Sequence, residues 1–255
     1  MSNVITSKPT LETVLSHRSI RKFTEQPISE ELLNTLFQSA IAGSSTGFLQ
    51  SASIIRVTDP DLRYQIRRIC ADAQNAKDGE KYGHPYVEQC AELLIFCMDN
   101  HRHRQLLPEA QIDWTEVTLV GAVDCAIIAQ NLLVTAESLG LGGVYLGSVR
   151  NDVPRLGELL QLPKGVFPMF GMALGYPDQD PAMRPRLPIE LVVSTNHYQP
   201  ATVEQMQAYN DTVKAYYVER GQAGMDWTQS VMNYLGKPAR PQILPYLNQQ
   251  GYAKK

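Results

Sequence analysis

The sequence contains few cysteines, and they do not form a recognisable site. Four occur among 255 residues, at Cys70, Cys90, Cys97 and Cys125, and no two of them form a Cys-x-x-Cys pair. This scatter excludes the usual structural zinc spacings and a secreted disulfide scaffold. A chain of this length buries enough apolar surface to fold without disulfides.

The sequence also lacks a targeting segment, a long apolar run and a strong charge. The first ten residues are polar and have no apolar signal-peptide core. No uninterrupted apolar run approaches the roughly 18 residues of a membrane span. The net charge is −3, which argues against a general affinity for nucleic acid. We therefore predict a cytoplasmic globular protein with no nucleic-acid partner and no membrane partner.

Familiar nucleotide and metal motifs are missing as well. No Gly-x-Gly-x-x-Gly follows the first predicted strand, so a Rossmann nicotinamide site is not expected, and the chain has no P-loop and no His-Glu-x-x-His. His101 and His103 lie two residues apart without an accompanying carboxylate cluster. We interpret them as surface residues and predict no metal site.

The predicted secondary structure mixes helices and strands without regular βαβ units. Helices are predicted at 11–15, 29–43, 62–73, 117–139, 153–160, 203–220, 225–235 and 241–249, with a helical turn at 88–92. Strands are predicted at 53–57, 93–98, 167–177 and 190–194, with a short one inside 139–148. This order favours an α+β fold over a doubly wound sheet. The helix at 117–139 is apolar on almost all sides, which is typical of a core or an interface, and Asp124 within it needs a partner if it is buried.

The stretch 139–148 follows that helix and contains four glycines in ten residues. Glycine permits positive φ and a close approach of the backbone to a flat group, so the stretch is compatible with a cofactor bed at the end of a strand. The alternative is a helix C-cap at Gly140 followed by a tight turn.

Two basic clusters and a small-residue loop offer groups that bind anions. In an extended His17–Lys22 segment, His17, Ser19 and Arg21 share one face and can grip a phosphate or an anionic ring edge. Residues 44–47 can bind a phosphate or a polyol, and Arg184 and Arg186 flank a proline that stiffens the backbone. Each element has an ordinary alternative, namely a solvated loop, a connecting loop or a basic linker.

Together these elements fit one ligand, a flat ring with a phosphorylated polyol tail, which is the structure of FMN. The glycine strand would form the bed of the ring. The groups predicted to bind the phosphate are His17, Arg18, Ser19, Arg184 and Arg186. Arg21 is predicted to lie near the pyrimidine edge, where a cation stabilises the anionic reduced ring.

Four segments in this order closely resemble the nitroreductase superfamily: His17–Arg21, Gly47–Gln50, Gly140–Gly147 and Arg184–Pro188. The best match is its group of oxygen-insensitive NADPH nitroreductases and NADPH–FMN oxidoreductases, over residues 11–251. The resemblance implies an α+β, nitroreductase-like FMN-dependent fold with a mixed, mostly antiparallel sheet flanked by helices. It also implies an intertwined homodimer with FMN at the interface. Residues 1–255 would form a single domain whose extension, 195–255, embraces the partner subunit.

The resemblance assigns site residues position by position. Flavin contacts are implied for His17, Arg18, Ser19, Arg21, Tyr145, Leu146, Gly147 and Arg186, and, for the partner's flavin, for Ser45, Thr46 and Gly47. Phe48 matches a residue beside the substrate pocket, Arg220 an arginine linked to NADPH recognition, and Arg240 one at the pocket mouth. No catalytic side chain is named, because the cofactor supplies the chemistry.

The chain departs from the family pattern at four places. His84 stands where a glutamine is usual near the flavin, after a loop at 72–85 that is longer than usual and is predicted to be mobile. Ser148 replaces a common glycine, and Arg184 replaces a common lysine; both stay in the predicted cofactor-binding set. Residues 221–226 lack arginines that help bind the 2′-phosphate, so the preference for NADPH or NADH stays open.

By resemblance, the enzyme takes hydride from NADPH or NADH and passes two electrons to nitroaromatics, quinones or other small flat aromatic oxidants in a ping-pong cycle. Two alternatives remain. The first is an NAD(P)H:FMN reductase that supplies free reduced flavin. The second is a flavin-binding protein without catalytic activity.

Overall fold

The structure is a computed structural model that describes residues 7–71 and 83–255. These residues form two compact units, one comprising the chain up to Pro181 together with Arg240–Lys255, the other comprising Ala182–Ala239. Residues 72–82 of the loop predicted at 72–85 lie outside the described residues. A single domain with an extension at 195–255 stays a prediction.

The described helices and strands follow the predicted order closely. The helices are α1 (Thr10–Leu15), α2 (Glu30–Ile41), α3 (Pro60–Cys70), α4 (Tyr86–Gln89), α5 (His101–Leu106), α6 (Thr115–Ser138), α7 (Val153–Leu159), α8 (Val203–Glu219), α9 (Trp227–Leu235) and α10 (Ile243–Gln250). The strands are β1 (Ala52–Val57), β2 (Glu92–Asp99), β3 (Gly142–Leu146) and β4 (Val166–Gly175). Helices α8 and α9 belong to the second unit.

The strands form one sheet in the order β1-β2-β4-β3, and every neighbouring pair is antiparallel. Helices α2 and α6 pack on the face from which Leu94 and Phe96 project. Helices α3, α4 and α7 cover the other face, which carries Leu93 and Ile95. Since β2 is buried on both faces, its sequence is apolar at nearly every position rather than alternating. The predicted α+β class, with helices flanking the sheet, is confirmed.

Two sequence predictions about elements are wrong. The strand predicted at 190–194 is absent, and a 3-10 turn at Ile189–Leu191 occupies this region instead. The helical turn predicted at 88–92 ends at Gln89, and Glu92 already belongs to β2. The Arg63 guanidinium donates to the carbonyl oxygens of Cys90 at 2.7 Å and Ala91 at 3.0 Å, which stabilises a non-helical connection there.

Helix α6 corrects the expectation about membrane spans. Its 24 residues include a window with a mean hydropathy of 1.9, so by length and composition alone it is apolar enough to cross a membrane. The face that carries Leu132 and Leu133 is fully buried in the core of the first unit. A core helix passes the same test, so this property is weak evidence for a membrane location.

The second unit is held by capped helices and one polar centre. Helix α8 begins with a capping box, in which Thr202 and Gln205 each bind the other's backbone N–H. Asn210 Oδ1 accepts from the backbone N–H of Thr228 at 2.8 Å. Tyr209 packs edge-on against Trp227, with 5.6 Å between ring centroids. These contacts join α8 to α9.

Candidate functional site

The glycine strand and the basic segment lie side by side. The backbone N–H of Ile20 donates to the carbonyl of Gly143 at 3.0 Å. A Cβ at position 142 would lie 2.5 Å from Cγ1 of Ile20, so this close approach requires Gly142. Gly140 has a φ of 84°, as expected for the residue that ends a helix. The helix-end interpretation of Gly140 is confirmed. The group that approaches Gly142 is a protein side chain, and the cofactor bed stays a prediction.

His17 and Arg18 are each paired with a carboxylate. His17 Nδ1 lies 2.6 Å from Oε1 of Glu137, in the last turn of α6. Arg18 forms an ion pair with the exposed Asp180. Nevertheless, Nε of Arg18 is buried and has no hydrogen-bond partner among the described residues. A buried unsatisfied donor is unfavourable, so this position is suited to an added acceptor such as a phosphate oxygen.

Arg21 and His84 are brought together through Tyr86. The Tyr86 hydroxyl is hydrogen-bonded to Nδ1 of His84 and also interacts with the guanidinium of Arg21. Burial lowers the pKa of His84, and the positive charges of Arg21 and Arg67 lower it further. Both effects favour the neutral imidazole. Burial raises the pKa of Tyr86, while Arg21 opposes that rise.

Ser148 and Arg240 meet around the buried Cys70. Burial raises the pKa of the Cys70 thiol to about 11, while the nearby Ser148 side chain and the positive charge of Arg240 oppose that rise. Nε of Arg240 donates to Oδ1 of Asn151 at 3.0 Å, and Nδ2 of Asn151 donates to the Cys70 carbonyl at 3.2 Å. The end of the glycine stretch, the end of α3 and the chain before α10 therefore converge on one place.

The side chains of the glycine stretch have different environments. Tyr145 is 37% exposed, packs edge-on against Phe170 at 5.4 Å, and donates its hydroxyl proton to Gln130 Oε1 at 3.1 Å. Burial and the nearby Glu137 carboxylate raise the pKa of Tyr145 to about 12. Leu146, in contrast, is buried in the core. Only the backbone of Leu146 is therefore available to a ligand.

The loop at Ser45–Ser51 is built around the carboxylate of Asp124. Oδ2 of Asp124 accepts from the Ser45 hydroxyl at 2.7 Å and from the Ser51 backbone N–H at 3.0 Å. Its Oδ1 accepts from the Thr46 backbone N–H at 3.0 Å. Burial alone would raise the pKa of Asp124, but these hydrogen bonds outweigh it and lower the pKa. Asp124 therefore has the partner that its place in an apolar helix required.

The same loop has an unusual backbone that projects Phe48 outward. Gly47, Phe48 and Gln50 have φ values of 56°, 58° and 53°, in a region that non-glycine residues rarely occupy. Phe48 is 83% exposed. His103, which we interpreted as an ordinary surface residue, lies with Nε2 at 2.6 Å from the Leu49 carbonyl. It therefore contributes to holding the loop.

The arginines of the second unit stack on neighbouring tyrosines. The guanidinium of Arg184 lies 6.0 Å from the ring centroid of Tyr217, and that of Arg220 lies 5.4 Å from the ring centroid of Tyr216. Both contacts are within the range of cation–π attraction. Arg186 is exposed. No cluster of three or more potential metal ligands occurs within residues 7–71 and 83–255.

Comparison with known proteins assigns this chain to a family. A model of the Nitroreductase family matches residues 14–176, and a model of that family's C-terminal domain matches residues 184–255. The chain belongs to the nitroreductase family. This nitroreductase-family chain is an oxidoreductase enzyme. The family resemblance found in the sequence motifs is confirmed.

Its similarity to individual nitroreductase-family proteins extends over almost the whole chain. It is 46% identical over 248 residues to an NADPH-flavin oxidoreductase of Vibrio harveyi, covering 96% of this chain and 99% of the relative. It is 42% identical over 249 residues to an oxygen-insensitive NADPH nitroreductase of Salmonella typhimurium, covering 97% of this chain and 99% of the relative. The solved NADPH:FMN oxidoreductase from Vibrio harveyi, complexed with NAD+, superposes with a TM-score of 0.87 at 46% identity, covering 96% of this chain and 99% of that one.

Several residues that shape the site of this nitroreductase-family enzyme were not predicted from the sequence. They are the partners of predicted residues, and include Glu137 beside His17, Tyr86 between Arg21 and His84, and His103 beside the Phe48 loop. Glu137 gave one usable signal, a lone acid in the last turn of an apolar helix. Tyr86 and His103 gave none, because their roles depend on which loops pack together.

Proposed function

We propose that the protein is an FMN-dependent oxidoreductase that takes hydride from NADPH. It passes two electrons to nitroaromatics, quinones or related flat oxidants in a ping-pong cycle. The observation that carries this proposal is the pairing of Ile20 with Gly143, since it sets His17, Arg18, Ser19 and Arg21 beside the glycine strand. The relatives named NADPH-flavin oxidoreductase and oxygen-insensitive NADPH nitroreductase support the same reaction class.

The residues of the first unit fit FMN. Arg18 has a buried N–H without a partner in the described part of the chain, as a phosphate-binding position requires. His17 and Ser19 lie in the same segment, and Arg21 supplies a cation for the ring edge. The backbone of Tyr145–Ser148 would contact the ring. Bound FMN supplies hydride acceptance and two-electron donation, while the protein positions the reactants and sets the local charge.

We propose that the active form is a homodimer in which the Ser45–Gly47 loop serves the partner's flavin. Aliphatic side chains stand exposed on three helices of the first unit, among them Leu15, Ile41 and Leu119 with 68%, 71% and 57% of their surface exposed. Large exposed apolar groups in clusters are typical of protein interfaces. Within the predicted extension at 195–255, residues 195–239 would embrace the partner, since Tyr246 and Tyr252 are buried in the first unit of their own chain. The proposed location is the cytoplasm.

The choice of nicotinamide is proposed from the second unit. Arg184 and Arg220 stack on Tyr217 and Tyr216, which leaves guanidinium N–H groups to bind a phosphate. We propose that Arg220 recognises the 2′-phosphate of NADPH and that Arg184 and Arg186 contact phosphate groups. Because residues 221–226 contain no arginine, the preference for NADPH over NADH is expected to be modest.

Anaerobic stopped-flow reduction tests the proposal directly. The purified protein should be yellow, and both NADPH and NADH should bleach the flavin, NADPH faster. A colourless protein that takes up no FMN would overturn the proposal. A yellow protein that neither nucleotide bleaches would indicate a flavin-binding protein without catalytic activity.

A second candidate function is the supply of free reduced flavin to another enzyme. The similarity to the Vibrio harveyi NADPH-flavin oxidoreductase favours it. The two functions are distinguished by comparing free FMN with a nitroaromatic as the electron acceptor, at equal low concentrations. A higher kcat/KM for free FMN would favour the flavin-supply function, and the reverse would favour direct reduction of the aromatic.

A further inference from the structure

The loop that carries Phe48 is attached to the rest of the first unit on both sides of that residue. On the N-terminal side, the backbone N–H of Thr46 donates to Oδ1 of Asp124 at 3.0 Å. On the C-terminal side, the Leu49 carbonyl oxygen lies 2.6 Å from Nε2 of His103. Phe48 is 83% exposed, so packing of its ring does little to hold it. The position of the ring therefore depends on the backbone and its two attachments.

The contacts of His103 define which of its ring nitrogens donates. A carbonyl oxygen only accepts, so Nε2 carries the proton that is donated to Leu49. Nδ1 lies 3.3 Å from Nδ2 of Asn100, and because an amide nitrogen only donates, Nδ1 accepts there. One tautomer of the neutral imidazole, with its proton on Nε2, satisfies both contacts. His103 therefore joins the backbone of the loop to Asn100.

Asn100 connects this attachment to the core of the first unit. Its side chain is buried, and its Nδ2 also donates to the Ser51 hydroxyl at 3.4 Å. Its Oδ1 accepts from the hydroxyl of Tyr252 at 3.0 Å, and Tyr252 is fully buried. The His103 ring is therefore supported from the core side by a residue that is itself held on several sides.

The backbone next to this attachment adopts a conformation that requires external support. Phe48 and Gln50 have φ values of 58° and 53°, which residues with a side chain rarely adopt. Such residues persist only where the surrounding structure fixes them, and they cluster where a protein holds a side chain against a ligand. The Leu49 carbonyl lies between these two residues, so loss of its hydrogen bond to His103 would let the segment relax and the Phe48 ring move.

We propose that His103 is a positioning residue that determines which oxidants the enzyme prefers, by holding the Leu49 carbonyl and thereby the Phe48 ring. This inference rests on the proposed function, because it requires an oxidant site beside Phe48. A ring held in one place stacks on a flat oxidant of one aromatic ring and limits the space for a second fused ring. A released ring does neither. His103 thus selects among flat oxidants by size, without contacting them.

Hydrogen exchange followed by mass spectrometry tests the attachment without turnover, on the purified full chain with its bound FMN. The peptide covering residues 45–51 should exchange about two- to tenfold faster in His103→Ala than in wild type, as expected for one lost hydrogen bond. His103→Gln places an amide N–H near the position of Nε2 and should restore slow exchange, whereas the shorter His103→Asn should not. The matched control is His101→Ala, which removes the other histidine of α5, 3.0 Å from the Lys164 carbonyl, and should leave this peptide unchanged.

Stopped-flow reoxidation of the reduced flavin tests the consequence for specificity. At low oxidant concentration, a one-ring benzoquinone should reoxidise His103→Ala about two- to tenfold more slowly than wild type, because the stacking on Phe48 is lost. A two-ring naphthoquinone should react at the wild-type rate or faster, so the ratio of the two rate constants shifts. His103→Gln should recover the wild-type ratio, and His101→Ala should keep it. The rate of flavin reduction at saturating NADPH should not change in any of these variants.

The outcomes separate this inference from the proposed function. If the wild-type protein binds no FMN or is not bleached by NADPH, the proposed function fails and the inference fails with it. If wild type is an active flavoenzyme, the inference alone is overturned by unchanged exchange of residues 45–51 in His103→Ala, or by an unchanged ratio of the two quinone rate constants. Recovery of both properties in His103→Asn would also overturn it, since that side chain is too short to replace the Nε2 donor.

Discussion

At the scale of single residues, Asp124 is the buried group on which the site loop depends. Replacing Asp124 with alanine leaves the Ser45 hydroxyl and the backbone N–H groups of Thr46 and Ser51 without their acceptor. Each buried donor left unsatisfied costs about 1–3 kcal/mol. We expect Asp124→Ala to lower the free energy of unfolding in urea by about 2–4 kcal/mol. It should also raise KM for the oxidant more than it lowers the rate of flavin reduction, because Phe48 lies on this loop.

Two comparisons sharpen this prediction. Glu109→Gln, at an exposed acid, is the matched control and should change neither quantity. Since the pKa of Asp124 is lowered in the folded state, its stabilising contribution is present above the unfolded value of about 3.9 and is lost as the pH falls through the folded value. The stability difference between wild type and Asp124→Asn should therefore shrink at acidic pH. A difference that grows with acidification would contradict the assignment.

The residues of the site were predictable from the sequence to a limited extent. Motif resemblance selected His17, Arg21 and His84 as candidates, because their order along the chain is visible in the sequence. The identity of their partners was not visible, since His17 and Glu137 are 120 positions apart and Ser45 and Asp124 are 79 apart. Asp124 is intermediate: its burial predicted that it needs a partner, but only the folded chain identifies that partner.

At the scale of elements, β3 and the basic segment His17–Lys22 are in close contact at Gly142. Gly142→Ala would place a Cβ 2.5 Å from Cγ1 of Ile20, which forces the two apart. Overpacking of this kind typically costs about 1–3 kcal/mol. We expect Gly142→Ala to destabilise the protein by that amount, measured by urea unfolding, and to weaken FMN binding because His17–Arg21 moves with Ile20.

A double-mutant cycle identifies the cause of that loss. Ile20→Ala removes Cγ1, the atom nearest to the new Cβ, and leaves only Cβ of residue 20 and Cγ of Pro177, each at 3.1 Å. The combined variant should therefore be more stable than the sum of the two single changes implies. Gly224→Ala is the control, since nothing lies within 4 Å of a Cβ there. Strict additivity of Ile20→Ala and Gly142→Ala would argue that the clash is not what destabilises the protein.

Periodicity and capping signals in the sequence predicted the helices and strands more reliably than they predicted the contacts between them. Ser29 accepts from the Leu32 backbone N–H and begins α2 where predicted, because the cap is a local signal. The prediction of a strand at 190–194 is wrong, because a short apolar run forms a strand only where a neighbouring strand pairs with it. The prediction of a strand from the apolar run of β2 is confirmed, because β1 and β4 pair with it, one on each side.

At the scale of the whole molecule, the proposed dimer accounts for apolar surface that the single chain leaves exposed. Leu119 on α6 is 57% exposed, on the helix that also carries Asp124. A glutamate at its position would bury a charge in the proposed interface, which is strongly unfavourable without a partner. We expect Leu119→Glu to shift the protein from dimer to monomer in light scattering after size exclusion, and to lose FMN together with the partner's loop.

The control for this prediction is Leu106→Glu, at a position on α5 that is 92% exposed and lies outside the three helices of the proposed interface. It should stay dimeric and yellow. The monomer formed by Leu119→Glu should keep the near-native unfolding transition of its own core, because the change touches only an exposed face. If Leu119→Glu remains a dimer that binds FMN normally, this face of α6 is not the interface. If wild type itself is a monomer that binds FMN and is bleached by NADPH, the Ser45–Gly47 loop serves no partner, and its attachment to Asp124 positions Phe48 for the chain's own site.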